Sequence, residues 1–171
     1  PRRVREMCGH LKRFGLIWRC FCRVDIITKH GGKDYLQFMY DHGLREVLIG
    51  AESGSQEILD NIHKETTVEQ NATVLEWCDE VGIRCKLSFI IGLPGETHET
   101  LEETKRFLRR HLIEANRRMQ HKVDLCSYIP MAGTPIYKAV MRKKNDGLYI
   151  IEEEFDTYGY HPGENVSDFD L

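Results

Sequence analysis

Two stretches of this chain share one plan, and that plan narrows the folds open to it. Glu46-Val-Leu-Ile-Gly-Ala-Glu-Ser-Gly-Ser55 and Phe89-Ile-Ile-Gly-Leu-Pro-Gly-Glu-Thr97 each run as an apolar strand into Gly and polar residues, then into a helix-like pattern. Apolar strands followed by helices build parallel sheets, and such sheets gather reactive groups at the carboxyl ends of their strands. The alternation recurs along the chain. Residues 4–14 place Val4, Met7, Cys8 and Leu11 on one helical face, and Leu16 to Asp25 reads as a strand. A helix carrying Tyr35, Leu36, Met39 and Tyr40 stops at Gly43, and Glu46–Ala51 is the next strand. Thr67-Val-Glu-Gln70 reads as a capping box opening a helix that ends at Gly82, before a strand over Arg84–Ile91. Thr97 caps a further helix with Glu99, Glu102 and Glu103 near its positive end. A fourth strand is expected over Val123–Ile129, with a short helix after Pro135. The fold class is therefore α/β: a partial TIM-type (β/α) barrel over residues 1–144, its parallel strands flanked by helices. Four to five β/α units make about half of an eight-unit barrel.

Composition sets the outer limits. The 171 residues are 41% hydrophobic and 30% charged, as in ordinary globular chains. No apolar run approaches the ~20 residues that cross a bilayer. The opening Pro1-Arg-Arg-Val-Arg-Glu6 does not resemble a secretory leader, so a piece of a longer cytoplasmic protein is expected. All 24 Lys and Arg lie at or before Lys144, against 19 of the 27 acidic residues. Residues 145–171 are thus an acidic tail, expected to be extended. Neither part is biased enough to indicate a nucleic-acid partner.

Six Cys occur, at 8, 20, 22, 78, 85 and 126. Cys20 and Cys22 share a face of the first strand, which suits either a metal or two buried thiols, but this spacing does not supply the converging thiolates of an iron–sulfur cluster. The eight His show no paired ligand spacing, so no zinc site is expected. Arg109, Arg110, His111, Arg117, Arg118, His121 and Lys122 form a basic cluster that also fits a solvated helix end.

Candidate site residues lie at the strand ends. Glu52 stands at the rim, and alternation places it with Leu48 and Gly50 on one side of the sheet. Gly50 leaves room for a ligand across the strand end. Glu52 equally suits capping the helix that starts near Ser55. Gly92-Leu-Pro-Gly-Glu-Thr97 is open to two readings, an anion cradle or a tight turn fixed by Pro94 and Gly95. With no Walker lysine and no G-x-G-x-x-G, nucleoside triphosphates and dinucleotides are poor candidates.

In this order, Arg23-Val-Asp25, Gly50-Ala-Glu-Ser-Gly-Ser55, Ile62-His-Lys64, Gly92-Leu-Pro-Gly-Glu-Thr97 and Tyr128-Ile-Pro-Met-Ala-Gly-Thr-Pro135 resemble the fourth to seventh strands of radical S-adenosylmethionine (radical SAM) enzymes. The likeness is to the branch associated with cobalamin-binding domains and with anaerobic magnesium-protoporphyrin monomethyl ester cyclases. It implies SAM as cofactor, a [4Fe–4S] cluster in the full-length protein only, and possible cobalamin dependence there. In that family, reductive cleavage of SAM on the cluster yields a 5′-deoxyadenosyl radical that takes hydrogen from substrate. Carried over by residue, Glu52 is similar to the group that bonds the SAM ribose, and Lys64 to the one that pairs with its carboxylate. Ser88 stands where some relatives have a ribose-binding Asp, Arg23 toward the methionyl end, and Ile129 against the adenine. Gly50, Ser53 and Gly92 complete the expected cofactor-binding set. The family's Cys-x3-Cys-x2-Cys loop is absent, so the parent is expected to be an enzyme and this piece to be inactive alone. Its partner is expected to be a small-molecule substrate. Glu52, Ser88 and Lys64 should converge on one concave rim, and the strand at Leu16–Asp25 should leave an open edge through which copies associate. A non-catalytic α/β module that holds a small anion on its Gly-rich rim is the alternative.

Overall fold

The computed structural model describes residues 2–131 together with Gly133 and Tyr137. The acidic tail and, but for Tyr137, the helix expected after Pro135 lie outside the described residues. Within them, four strands form one wholly parallel sheet in the order β1-β2-β3-β4. They are β1 (Trp18–Phe21), β2 (Leu44–Glu52), β3 (Arg84–Ile91) and β4 (Lys122–Ser127). The helices are α1 (Arg2–Arg13), α2 (Val24–Lys29), α3 (Gly32–Asp41), α4 (Gln56–Asn61), α5 (Val68–Val81) and α6 (His98–Leu108), which runs on into a π-helical turn, Arg109–Ile113. A doubly wound sheet would reverse its strand order at a switch point; here the order runs straight, as in an arc of a barrel wall.

The core lies on one face of that arc. Val47, Ile49 and Ala51 of β2 and Cys85, Leu87 and Phe89 of β3 are fully buried. They join Cys8 of α1, Val24 and Ile27 of α2, Leu36 and Met39 of α3, Leu75 and Cys78 of α5 and Phe107 of α6 in a single cluster. Each large apolar side chain taken from water there contributes about 1.5–3 kcal/mol. The strand residues between them, among them Leu48, Gly50, Lys86 and Ser88, are only half-buried on the other, concave face.

The expected capping box at Thr67 forms, and the expected cap at Thr97 proves to be a second box. The Thr67 hydroxyl accepts from the Gln70 N–H while the Gln70 side chain accepts from the Thr67 N–H, and Thr97 and Thr100 repeat the arrangement on α6. The first strand is shorter than its expected span of 16–25. Backbone pairing continues only to the Cys22 N–H, which donates to Leu48 O at 2.9 Å, and Val24 and Asp25 then open α2. The reason is helical: Val24 and Ile27 bury a shared side at i, i+3, while Asp25 in the first turn reaches Lys29 at i, i+4. One register shift interrupts the β2–β3 ladder. Gly50 pairs with Ser88, but Glu52 pairs with Phe89, so Ala51 is an extra residue on β2.

The basic stretch from 109 to 122 is not one surface. Arg109 and Arg110 are exposed, whereas the His121 side chain is 1% exposed and ties β4 to its neighbours. Its Nδ1 accepts from the Cys85 N–H at 3.0 Å, so Nε2 carries the hydrogen and donates to Asp79 at 3.2 Å. Asp79 also accepts from the Arg118 and Met119 N–H groups. Burial pushes the His121 pKa below its ordinary 6.5, and Asp79 only partly opposes this. The unfolded chain therefore takes up a proton as pH falls through about 6.5 before the folded one does, so stability is full above that value and declines below it. Thermal unfolding of the wild type should show a falling midpoint between neutral pH and pH ~5. His121→Gln, which cannot take up that proton, should show a flatter profile. Parallel profiles would refute this assignment.

Candidate functional site

At the carboxyl end of β2 the backbone turns left-handed, with Glu52 at φ 62°. Simple alternation would carry Glu52 to the Gly50 side, but the register shift breaks alternation, and the left-handed turn brings the carboxylate back over Gly50 instead. There it forms an ion pair with the Lys64 ammonium, both side chains being only 17% exposed. A Cβ at Gly50 would run into Glu52 Oε1 and come within 3.1 Å of Lys64 Nζ. Ser88, register partner of Gly50, shares this face. The Ser55 side chain makes no cap bond to α4, and Glu52 does not act as the cap.

Lys64 reaches the rim because the chain doubles back after α4. The Lys64 N–H donates to Leu59 O at 2.9 Å, and the flanking His63 and Glu65 are left-handed at φ 54° and 58°. Among the described residues, the three non-glycine residues with positive φ are these two and Glu52. Such conformations persist only where surrounding contacts enforce them. Arg23 makes one of those contacts. It is the extended N-cap residue of α2, its Nη2 donates to Lys64 O at 3.0 Å, and its Nε donates to Asp25 Oδ1 at 2.9 Å. That bond from Arg23 holds the Asp25 carboxyl below its usual range, with Lys29 adding to the effect at 3.4 Å.

The other expected residues divide. Ser53 is buried, its hydroxyl 3.2 Å from that of Thr104 and accepting from the Ser55 N–H at 3.1 Å, so it joins the loop to α6 rather than facing the rim. The Gly92 N–H donates to Glu96 at 2.6 Å, so the donor an anion would use is already taken. Burial raises the Glu96 pKa, and that same bond opposes the rise. Ile129 is half-buried just beyond β4, next to Tyr128, whose N–H extends the β3–β4 pairing to Ile91 O at 2.7 Å. Cys20 and Cys22 are protonated thiols, pushed up by burial to about 12 and about 11. Among the described residues no group of three or more His, Cys, Asp or Glu is placed to hold a metal ion. Asp25, Glu96 and Thr104 are site-supporting residues that sequence reading does not single out. Only the Arg23-x-Asp25 spacing offered a signal, since two opposite charges two apart at a strand end can meet across a turn.

The rim thus presents a carboxylate, an ammonium paired with it, and a glycine floor. Deeper on the concave face, Glu46 lies between Arg19 (3.8 Å) and Arg84 (3.6 Å), and Lys86 pairs with Asp124 at 2.5 Å.

Two glycines differ in what they protect. A Cβ on Gly54 would lie 2.6 Å from Thr104 Cα and 2.8 Å from Phe107 Cβ, inside the packed α6 interface. Gly54→Ala should cost about 1–3 kcal/mol of stability. At Gly50 the obstructing atoms are flexible side-chain ends, so Gly50→Ala should melt close to wild type while disturbing the Glu52–Lys64 pair. Equal melting temperatures for the two variants would contradict this division.

Comparison with known proteins gives a consistent set. The model of the radical SAM superfamily matches residues 12–108. The anaerobic magnesium-protoporphyrin IX monomethyl ester cyclase of Rubrivivax gelatinosus is 37% identical over 106 residues, covering 61% of this chain and 19% of that protein. The cyclase of the same name from Cereibacter sphaeroides is 42% identical over 105 residues, covering 59% of this chain and 17% of that protein. The chain spans about a fifth of the length of these curated relatives. Among solved structures, the cobalamin-dependent S-adenosylmethionine radical enzyme OxsB with aqua-cobalamin bound superposes with a TM-score of 0.57 at 25% identity, covering 84% of this chain and 20% of that one.

Proposed function

The chain belongs to the radical SAM superfamily, and on that premise we propose that its concave rim binds S-adenosylmethionine within a radical SAM enzyme. The observation that carries this reading is the Glu52–Lys64 pair lying over Gly50, in a cradle that a single Cβ would fill. The chemistry of the pair fits the ligand. The Glu52 carboxylate accepts hydrogen bonds from the ribose hydroxyls, and the Lys64 ammonium pairs with the methionyl carboxylate. Ser88 offers a hydroxyl on the same face, and Ile129 an apolar side chain for the adenine. Bound there and cleaved by one electron from a cluster held outside the described residues, SAM would supply the radical that abstracts hydrogen from a small-molecule substrate. The residues here hold and orient it.

The [4Fe–4S] cluster is a different matter, because the described residues do not fit one. Their share of the reaction is confined to the ligand, and we expect these 171 residues alone to be inactive. Cobalamin dependence belongs to the description of the OxsB structure, and no described side chain argues for it in this chain. The alternative, an anion-holding module, finds less support because Glu96 occupies the Gly92 N–H. No helix among the described residues is long and apolar enough to cross a membrane.

Calorimetric titration of the full-length protein with SAM tests the reading. Lys64→Met should weaken binding about 10-fold or more, the scale of one charge-assisted hydrogen bond, and Glu52→Gln should weaken it too. Undiminished affinity in both variants would overturn the assignment.

Self-association is proposed on separate grounds. The outer edge of β1 pairs with no strand among the described residues, and Phe14, Ile17 and Phe21 are 72%, 74% and 85% exposed. An unpaired edge flanked by apolar side chains favours a second copy. Sedimentation of the 171-residue chain over a tenfold concentration range should show a rising average mass. A constant monomer mass would rule this out.

A further inference from the structure

Arg23 is expected from family likeness to face the methionyl end of the cofactor, yet two of its guanidinium nitrogens are engaged elsewhere. Nε is bound to Asp25 and Nη2 to the main-chain oxygen of Lys64. Asp25 is buried and held from its other side by Lys29, which makes it a fixed anchor. The Lys64 segment is by contrast a strained excursion, with left-handed residues on both sides of the lysine. The Leu59 O bond secures it from one side and Arg23 from the other. A planar guanidinium suits this task, since its fork addresses a carboxylate and a carbonyl at fixed angles.

We propose that Arg23 is a positioning residue: anchored on Asp25, it grips the Lys64 carbonyl and thereby fixes where the Lys64 ammonium meets the carboxylate of the ligand. The inference rests on the SAM reading of the rim. It adds that Arg23 does not itself contact the cofactor, and that the strained turn at residues 63–65 is held by a clamp from α2, 41 positions earlier in the chain. Asp25 becomes part of the binding apparatus although it touches no ligand.

The test uses two ligands and a double-variant cycle on the full-length protein. The ligands are SAM and decarboxylated SAM, which keeps the ribose and sulfonium but lacks the carboxylate. Arg23→Met should weaken SAM about tenfold and decarboxylated SAM less than about twofold. Arg23→Lys should resemble Arg23→Met, because the charge remains while the fork is lost. In a Lys64→Met background, Arg23→Met should cost almost nothing further. Equal losses for both ligands, full affinity in Arg23→Lys, or a full additional loss in the Lys64→Met background would each overturn the proposal, the last by showing that Arg23 touches the carboxylate directly. Asp25→Asn provides the same comparison should Arg23→Met fold poorly.

Hydrogen exchange in the ligand-free protein separates this inference from the reading beneath it. Arg23→Met should speed exchange over residues 62–66 severalfold, whereas Lys64→Met should not. Unchanged exchange in Arg23→Met would eliminate the clamp whatever the ligand. Failure of the wild type to bind SAM, with the exchange result as expected, would remove the SAM reading and leave a clamp serving some other carboxylate.

Discussion

Val47, Ile49 and Ala51 on β2, with Cys85, Leu87 and Phe89 on β3, are withdrawn from water against the helices, and the rest of the molecule is arranged around that fact. A strand shows its side chains to two sides in strict alternation, so filling one side with helix-packed residues fixes the occupants of the other. Leu48, Gly50, Lys86 and Ser88 are on the concave face because their neighbours are in the core. The same burial draws α2, α3 and α5 over one side of the sheet, which brings the start of α2, and Arg23 with it, close to the loop that follows α4. Hydrophobic burial is not directional, but through the strand period it acquires a direction.

The concave face carries more charge than a barrel interior of stacked aliphatic side chains would. Glu46 with its two arginines, Lys86 with Asp124, and Glu52 with Lys64 are pairs of opposite sign distributed along the strands. Of these, the Glu52–Lys64 pair is the most withdrawn from solvent. Ions held together away from water have forfeited hydration and recovered it only through each other. A ligand offering hydroxyls to one and a carboxylate to the other replaces one set of compensated charges with another. Binding then requires little new desolvation of the protein, and the resting site contains no lone buried charge.

Much of the frame was legible in the chain. β2 and β3 announce themselves by apolar runs ending in glycine, and the Thr67 box and the Thr97 cap mark helix starts to the residue, because these signals are local. The partial-barrel fold and the family follow from the order of the motifs. What was hidden depended on distant partners or on backbone geometry. The helix at Val24–Lys29 was masked because Val24 prolongs the apolar-rich run from Leu16 that looks like strand, and only the packing of Val24 and Ile27 decides otherwise. Ser53 was expected in the cofactor-binding set by family likeness, but its hydroxyl lies 3.2 Å from that of Thr104, 51 positions away. The left-handed turns at His63 and Glu65 carry no glycine to betray them.

The extra residue at Ala51 has a consequence for how this sheet tolerates change in length. By inserting one position, β2 brings Glu52 level with Phe89 instead of Ile90, a retreat of one strand step, about 3.3 Å. That retreat lets a carboxylate at the tip of the strand bend back above its own glycine. Deleting Ala51 would restore an even ladder with Glu52 still level with Phe89, yet regular alternation would then turn the carboxylate toward the core side that Phe89 occupies, away from Lys64. The irregular ladder is therefore a spacer. At this one place the length of the polypeptide matters as much as the identity of its side chains, and a shorter chain could form a more regular sheet while losing the coincidence of groups at its rim.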